Sequence, residues 1–175
     1  EGGRLAFGLG PRLPGPTPAP GETWAETAPG IRAVAGEVAR RIGLHGGWAL
    51  FVDYGYRAAD RPPGPTLQAV RGHEGAAPLD APGEADLTAL VDFDALAREL
   101  APLASHQAAQ GTFLAALGIG TRAAQLARAA PGEADAIADA LERLTDPARM
   151  GRLFKALAAG PPGAPPPPGF PPSPA

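Results

Sequence analysis

The apolar run Trp48–Val52 restricts the possible folds of this chain more than any other feature. A continuous apolar run of strand length is typical of a strand buried on both faces, as in a parallel sheet. A glycine pair precedes the run, and a helical pattern precedes the glycines, with apolar residues at spacings of three and four: Ile31, Val34, Val38 and Ile42. Helix, glycine turn and buried strand make half of a βαβ unit, which predicts an α/β fold.

Asp53, Tyr54 and Gly55 follow this strand directly. In open α/β sheets ligands bind beyond the carboxyl ends of the strands, so we expect the chemistry of the protein at residues 53–56. The spacing alone allows two interpretations of Asp53. Its carboxylate either binds a ligand or forms a turn by accepting hydrogen bonds from nearby backbone N–H groups.

The composition excludes several classes of function. The net charge of −3 argues against a nucleic-acid partner, and no apolar run reaches the length of about 18 residues that a membrane helix needs. The absence of cysteine excludes disulfides, thiolate metal sites and cysteine nucleophiles. The histidines at 45, 73 and 106 lack metal-ligand spacing, so no metal site is expected. Because Met150 is the only methionine and the sequence begins with Glu1, we expect either a processed chain or a fragment, and we favour the fragment.

Glycine and proline are abundant but unevenly distributed. The 24 glycines and 23 prolines form about a quarter of the chain, a level that is typical of disorder. Many of them lie after residue 160, where the sequence predicts an extended, proline-rich disordered tail. We therefore expect one folded region at 1–160 and a tail at 161–175.

Three glycine patterns could in principle cradle a phosphate: Gly8-Leu9-Gly10, the segment 43–47, and Gly118-Ile119-Gly120. None has the complete arrangement of strand, GxGxxG loop and helix that marks a dinucleotide site. Helix ends and turns explain all three, so no cofactor-binding loop is predicted in this chain.

Six segments resemble, in the same order, motifs of one methyltransferase family. The family is that of class I S-adenosylmethionine-dependent methyltransferases that includes the mitochondrial complex I assembly protein arginine methyltransferase (MidA-like). The similar segments are ETAP at 26–29, GGWALFVDYG at 46–55, TLQAVRGH at 66–73, PGEADLT with VDF at 82–93, QGTFLAALGI at 110–119 and LTDPARMGRLFK at 144–155. Since these motifs belong to the later part of the family domain, the chain resembles its C-terminal half only.

The resemblance implies the C-terminal part of a Rossmann-like fold, with a mixed sheet and helices, incomplete in this chain. It also implies S-adenosylmethionine as cofactor and transfer of methyl groups to protein arginine, in a target like a respiratory complex I subunit. The glycine-rich cofactor loop belongs to the other half of the domain. We therefore expect that half as a partner, no cofactor-binding residues here, and an inactive fragment.

Arginine methylation requires carboxylates that orient a permanently charged guanidinium. On the family motifs, the resemblance implies four catalytic groups on the substrate side: Asp53, Tyr54, Glu26 and His73. It implies three substrate-binding residues, Gly55, Asp86 and Thr88. Turn and capping chemistry is the alternative interpretation of Asp86 and Thr88.

A different class of function stays open at this point. A truncated homologue could act without catalysis, as a domain that binds a respiratory-chain subunit during assembly. An in-frame glycine-rich strand, loop and helix encoded upstream of Glu1 would favour the enzyme. We expect a cytoplasmic location for a bacterial protein, which is the preferred case, and the mitochondrial matrix for a eukaryotic one.

Overall fold

The protein is described by a computed structural model that covers residues 5–8, 10 and 26–171. The chain divides into two compact units. The first is formed by Glu1–Pro29 and Arg61–Leu90, and the second by Gly30–Asp60 and Val91–Ala175. Each unit contains its own β-sheet.

The second unit contains a four-stranded mixed sheet. Its strands are β1 (Ala49–Tyr56), β5 (Val91–Asp92), β6 (Ala104–Ala109) and β7 (Phe154–Gly160), in the order β5-β1-β7-β6. Strand β5 runs parallel to β1, whereas β7 runs antiparallel to both β1 and β6. The prediction of an α/β chain with a mixed sheet and helices is confirmed.

Six helices accompany this sheet in the described part of the chain. They are α1 (Pro29–His45), α2 (Phe93–Glu99), α3 (Gln110–Ala116), α4 (Ile119–Ala129), α5 (Ala134–Thr145) and α6 (Met150–Leu153). Helix α2 begins where the Asp92 carboxylate caps it by accepting a 2.8 Å hydrogen bond from Ala95 N. None of these helices is long and apolar enough to cross a membrane.

One face of the sheet packs against α1 and α2. The core there is built from Phe93, Leu100 and Leu157, all fully buried, with Ala35 and Ile42 from α1. The predicted apolar face of α1 is correct for Ile31, Val38 and Ile42 but wrong for Val34, which is 54 % exposed. Ala35, one residue further along, occupies the core position instead.

On the opposite face, Phe170 covers part of β6 and β7; this residue lies within the segment that the sequence predicts to be a disordered tail. Phe170 is buried and packs with Ala108, Ala156 and Ala158. Its ring lies 5.0 Å from that of Phe113 on α3. The proline-rich composition suggests a solvated segment, but one aromatic residue within it buries its ring against the sheet. Residues 172–175 lie outside the described part.

Strand β1 is not buried on both faces, so that expectation is wrong for this chain. Leu50 and Val52 are 55 % and 47 % exposed. On one edge β1 pairs with β7 along six residues, but on the other edge β5 reaches only Gly55 and Tyr56. Strand β1 therefore has an open edge and an apolar face without cover over most of its length.

The first unit is a small antiparallel sheet in the order β3-β2-β4, formed by β2 (Gln68–Arg71), β3 (Glu74–Ala76) and β4 (Asp86–Thr88). Among its described residues, Thr66 and Ala69 are buried. Glycine at 72 and histidine at 73 make the turn between β2 and β3.

Candidate functional site

The candidate site in the second unit is the end of β1. Asp53 and Tyr54 lie within this strand, not beyond it as the sequence predicted, because they pair with Lys155 and Phe154 of β7. A strand in an antiparallel pair can continue through polar residues when its partner supplies the hydrogen bonds.

Asp53 is exposed, and its Oδ1 accepts a 2.8 Å hydrogen bond from Tyr54 N. It also lines a cavity of about 290 Å³ beside the open edge of β1, together with apolar residues that include Val91, Phe93 and Leu96. In the described part of the chain the carboxylate has no other side-chain or backbone partner. An acidic group of this kind can accept hydrogen bonds from a cationic ligand.

Packing restrains the two residues that follow Asp53. The Tyr54 ring lies 4.0 Å from the ring of Phe154, with 38° between their planes. Gly55 has no room for a side chain, since a Cβ atom there would lie 2.5 Å from the Phe93 ring and 2.5 Å from the Val91 carbonyl oxygen. The glycine is therefore required for the close approach of β1 to β5 and α2, whatever it does for a substrate.

Two carboxylates hold the turn at 57–60, immediately after β1. Asp60 Oδ1 accepts a 2.6 Å hydrogen bond from Arg57 N, and Asp94 Oδ2 accepts one of 2.8 Å from Ala58 N. Gln107 of β6 donates to Asp94 Oδ1 at 3.2 Å, and the Arg57 guanidinium lies 3.5 Å from the same oxygen. The turn is thus fixed to both α2 and the sheet.

Burial and hydrogen bonding have opposite effects on these acids. Partial burial alone would raise the pKa of Asp60, but the Arg57 amide and the Lys155 ammonium outweigh it, so the pKa is lowered. For Asp94, burial is likewise outweighed by the Ala58 amide, the Gln107 amide group and Arg57, and the pKa is lowered. Both groups are therefore held as carboxylates at neutral pH.

The sequence did not single out Asp60, Asp94 or Lys155. The acidic residue in the first turn of α2 and the lone lysine were visible signals. The sequence could not show that these residues converge on one turn, since this depends on pairing between distant strands.

In the first unit, Glu26 is fully engaged by one neighbour. Its Oε1 accepts a 2.6 Å hydrogen bond from Thr66 N, and its Oε2 accepts one of 2.8 Å from Thr66 Oγ1. Thr66 Oγ1 in turn accepts a 3.0 Å hydrogen bond from Leu90 N. Glu26 thus anchors the start of the TLQAVRGH segment.

The other predicted residues of this unit lie on its hairpin and its edge strand. His73, with φ 68°, follows Gly72, with φ 60°, in the two-residue turn between β2 and β3. Two left-handed residues in succession are typical of a type I′ hairpin turn. Asp86 and Thr88 belong to β4 and pair with Val70 and Gln68. They are strand residues on one face, and in the described part of the chain no turn or cap hydrogen bond of their side chains is seen.

The predicted residues therefore fall into two groups. Asp53, Tyr54 and Gly55 are consecutive in the second unit. Glu26, His73, Asp86 and Thr88 belong to the first unit, where His73 lies at the hairpin tip and Asp86 and Thr88 lie on β4.

Two of the three glycine patterns serve turns. Gly46 and Gly47, with φ of 68° and 95°, lead from α1 into β1, and Gly118, with φ 83°, joins α3 to α4. Leu9, in the remaining pattern, lies outside the described residues. Among the described residues no group of three or more His, Asp or Glu side chains could hold a metal ion.

Comparison with known proteins now identifies the family. The family model described as "Putative S-adenosyl-L-methionine-dependent methyltransferase" matches residues 10–110, which is more than half of the chain. The chain belongs to this family. The resemblance of the sequence motifs is thereby confirmed.

Similar curated proteins come from animals. One is the Drosophila melanogaster protein named protein arginine methyltransferase NDUFAF7 homolog, mitochondrial, which is 39 % identical over 152 residues, covering 82 % of this chain and 34 % of that protein. The Homo sapiens protein arginine methyltransferase NDUFAF7, mitochondrial, is 33 % identical over 145 residues, covering 78 % of this chain and 31 % of its own length. The chain thus spans about a third of the length of these family members.

A solved structure from Burkholderia thailandensis, bound to S-adenosyl-homocysteine, is 28 % identical with a TM-score of 0.64. The match covers 73 % of this chain and 35 % of the Burkholderia chain. A native structure of a protein from the same organism matches with a TM-score of 0.63, over 73 % of this chain and 37 % of its own. The fold of this methyltransferase family member is therefore shared with a protein that binds the demethylated form of the methyl donor.

Proposed function

We propose that the intact protein to which this chain belongs transfers a methyl group from S-adenosylmethionine to arginine in a protein substrate. The observation that supports this most directly is Asp53, an exposed carboxylate on β1 beside an open cavity, in a chain of the methyltransferase family. The names of the animal relatives, which are protein arginine methyltransferases, favour arginine as the acceptor.

The chemistry of the acceptor explains why an acidic group is needed. A guanidinium is charged at all physiological pH values and presents its N–H groups as a planar fork that suits a carboxylate. Asp53 has oxygens available for such a pair, and the tight packing around Gly55 fixes the backbone that carries it. Displacement at a methyl group depends on close alignment, so holding the acceptor in place supplies much of the rate.

Glu26, His73, Asp86 and Thr88 are proposed to assist on the substrate side from the first unit, with Tyr54 and Gly55 from the second. Glu26 is also proposed to have a second, structural role, since both of its oxygens accept hydrogen bonds from Thr66. Its substitution is therefore expected to affect the conformation of the 66–73 segment.

S-adenosylmethionine supplies the electrophilic methyl group in this proposal. The described residues offer it no glycine-rich loop, because the glycines at 46, 47 and 118 form turns at helix ends. We propose that the rest of the family domain supplies most of the cofactor site and packs against the exposed Leu50 and Val52 of β1.

The target and the compartment are finer proposals. A respiratory complex I subunit is proposed as the protein substrate, in keeping with the resemblance of the motifs. The animal relatives are named as mitochondrial, so they lend no support to the preferred cytoplasmic location.

Mass spectrometry of arginine residues provides the test. The intact protein is incubated with methyl-labelled S-adenosylmethionine and a cell extract that contains its protein substrate. Label on arginine, reduced roughly ten- to a hundredfold in rate with Asp53→Asn, is the expected result. Label on another residue type would reject arginine as acceptor, and binding of the methyl donor without any transfer would favour a non-catalytic assembly role.

A further inference from the structure

Lys155 is the only lysine in the chain, and it is buried at the start of β7. Its ammonium donates to the Gly55 carbonyl at 2.9 Å and to the Arg152 carbonyl at 2.6 Å, and it lies 3.1 Å from Asp60 Oδ2. An ammonium has three protons, so these three oxygens satisfy it completely. Of the three, one belongs to the end of β1 and one to the turn that follows.

This arrangement joins separate parts of the sequence at one point. Gly55 directly follows Tyr54 in the candidate site, and Asp60 also accepts the hydrogen bond from Arg57 N that closes the turn at 57–60. The Lys155 side chain therefore connects the strand that carries Asp53 to the turn after it.

We propose that Lys155 is a positioning residue, which fixes the end of β1 and thereby the direction of Asp53 and Tyr54. This inference rests on the proposed function, because it concerns the same site. Lys155 does not touch the substrate in this proposal. It acts through the Gly55 carbonyl and the Asp60 carboxylate.

Stability alone does not account for a charge in this position. Burying an ammonium costs several kcal/mol of hydration free energy, and the attraction of a carboxylate partner repays this cost without a large net gain. Replacing a buried ion pair by well-packed uncharged side chains is therefore often neutral or stabilising. Removing one partner is destabilising, because it leaves the other charge unpaired. These two properties allow a positioning role to be separated from a packing role.

The test compares Lys155→Met with the double variant Lys155→Met/Asp60→Asn in the intact protein. The single variant leaves Asp60 unpaired and is expected to melt early. The double variant removes both charges and is expected to recover most of the melting temperature. It still lacks the hydrogen bond to Gly55, so kcat/KM for the protein substrate is expected to stay at least tenfold low while KM for the methyl donor is unchanged.

Amide hydrogen exchange supplies a readout that does not depend on methyl transfer. In the double variant, exchange at Arg57 and Ala58 is expected to accelerate at least tenfold relative to amides of α2. The matched control is Arg32→Met, which removes an exposed ion pair with Glu99 of 3.2 Å and should change neither readout.

Normal exchange at 57–58 and normal kcat/KM in a double variant of recovered stability would overturn the proposal, as would an acceleration spread equally over α2. If the unsubstituted protein transfers no methyl group, the proposed function fails, and exchange at 57–58 still decides whether Lys155 orders the turn.

Discussion

Lys155 lies directly opposite Asp53 in the register of β7 and β1, but its ammonium binds the Gly55 carbonyl and pairs with Asp60. The nearest basic residue across the strand is thus occupied elsewhere, and the Asp53 carboxylate is left to accept a hydrogen bond from Tyr54 N. An acidic group without a cationic partner in the described part of the chain is suited to bind a cationic substrate.

The first prediction concerns this carboxylate. Asp53→Asn in the intact enzyme keeps the shape but removes a charge-assisted hydrogen bond, which is worth about 1.5–3 kcal/mol. We expect kcat/KM for the arginine substrate to fall roughly ten- to a hundredfold, with the melting temperature little changed. Methyl transfer and thermal unfolding should be measured on one preparation.

Asp139→Asn, at an exposed position on α5, serves as the control and should leave both values unaltered. If Asp53→Asn lowers the melting temperature while transfer per folded molecule stays normal, Asp53 is a structural residue and the proposed site is wrong.

Particular residues mark the limit of what the sequence could predict. The run Trp48–Val52 correctly predicted a strand, since periodicity and residue type are local properties. The extension of β1 through Asp53 and Tyr54 depends on β7, about a hundred residues later, so local patterns could not reveal it. The ordering of Phe170 likewise depends on Phe113 and on small residues of the sheet, whereas its neighbours in sequence are typical of disorder.

The candidate site was predicted unevenly for the same reason. The resemblance of the motifs predicted Asp53 and Glu26 as site residues from the sequence alone. It could not predict that Glu26 would be engaged by Thr66, or that Lys155 would bind the Gly55 carbonyl, because these hydrogen bonds join residues 40 and 100 positions apart.

The second prediction separates the structural role of Glu26 from a chemical one. In Glu26→Gln one carboxylate oxygen becomes an NH₂ group, which cannot accept a hydrogen bond from Thr66. We expect a loss of about 1–3 kcal/mol in the local free energy of opening, because Thr66 is buried. Amide exchange at Thr66 measures it.

Glu84→Gln is a matched control in the same unit, since the Glu84 side chain makes an exposed ion pair of 3.7 Å with Arg71. It should leave exchange at Thr66 unchanged. Slow exchange at Thr66 in Glu26→Gln, equal to that of the unsubstituted protein, would show that the hydrogen bonds to Glu26 do not order this segment.

The third prediction is a pH dependence that arises from Asp60. Its pKa in the folded protein lies below its ordinary value of about 3.9, so ionisation favours the folded state. This contribution is complete above the ordinary pKa and is lost as the pH falls through the folded pKa. The free energy of unfolding should therefore fall more steeply below about pH 4 in the unsubstituted protein than in Asp60→Asn.

At pH 7 the two proteins differ in stability because Lys155 has lost its carboxylate partner in Asp60→Asn. Asp60→Asn should be destabilised, by less than the about 3–5 kcal/mol typical of a broken buried pair, because the Asp60 side chain is 20 % exposed. Glu37, whose pKa is lowered to about 2 by hydrogen bonds from Arg40 and Arg41, titrates in both proteins and cancels from the comparison. Urea unfolding at pH 3 and pH 7 gives the free energy of unfolding of both proteins. If it falls by the same amount between pH 7 and pH 3 in both, the assignment to Asp60 is refuted.

The last prediction tests whether the proline-rich end of the chain is part of the folded protein. Phe170 is 8 % exposed and contacts Phe113, Ala156 and Ala158, so Phe170→Ala should leave a cavity and cost about 3–5 kcal/mol of unfolding free energy. Pro165→Ala, at an exposed position of the same segment, should cost much less. A double-mutant cycle with Phe113→Ala should give a coupling of about 0.5–1.5 kcal/mol for the aromatic pair. Urea unfolding of the unsubstituted protein, the three single variants and the Phe113→Ala/Phe170→Ala double variant measures these values. If Phe170→Ala is as stable as Pro165→Ala and the coupling is zero, the segment is a solvated tail and the original expectation for residues 161–175 was correct.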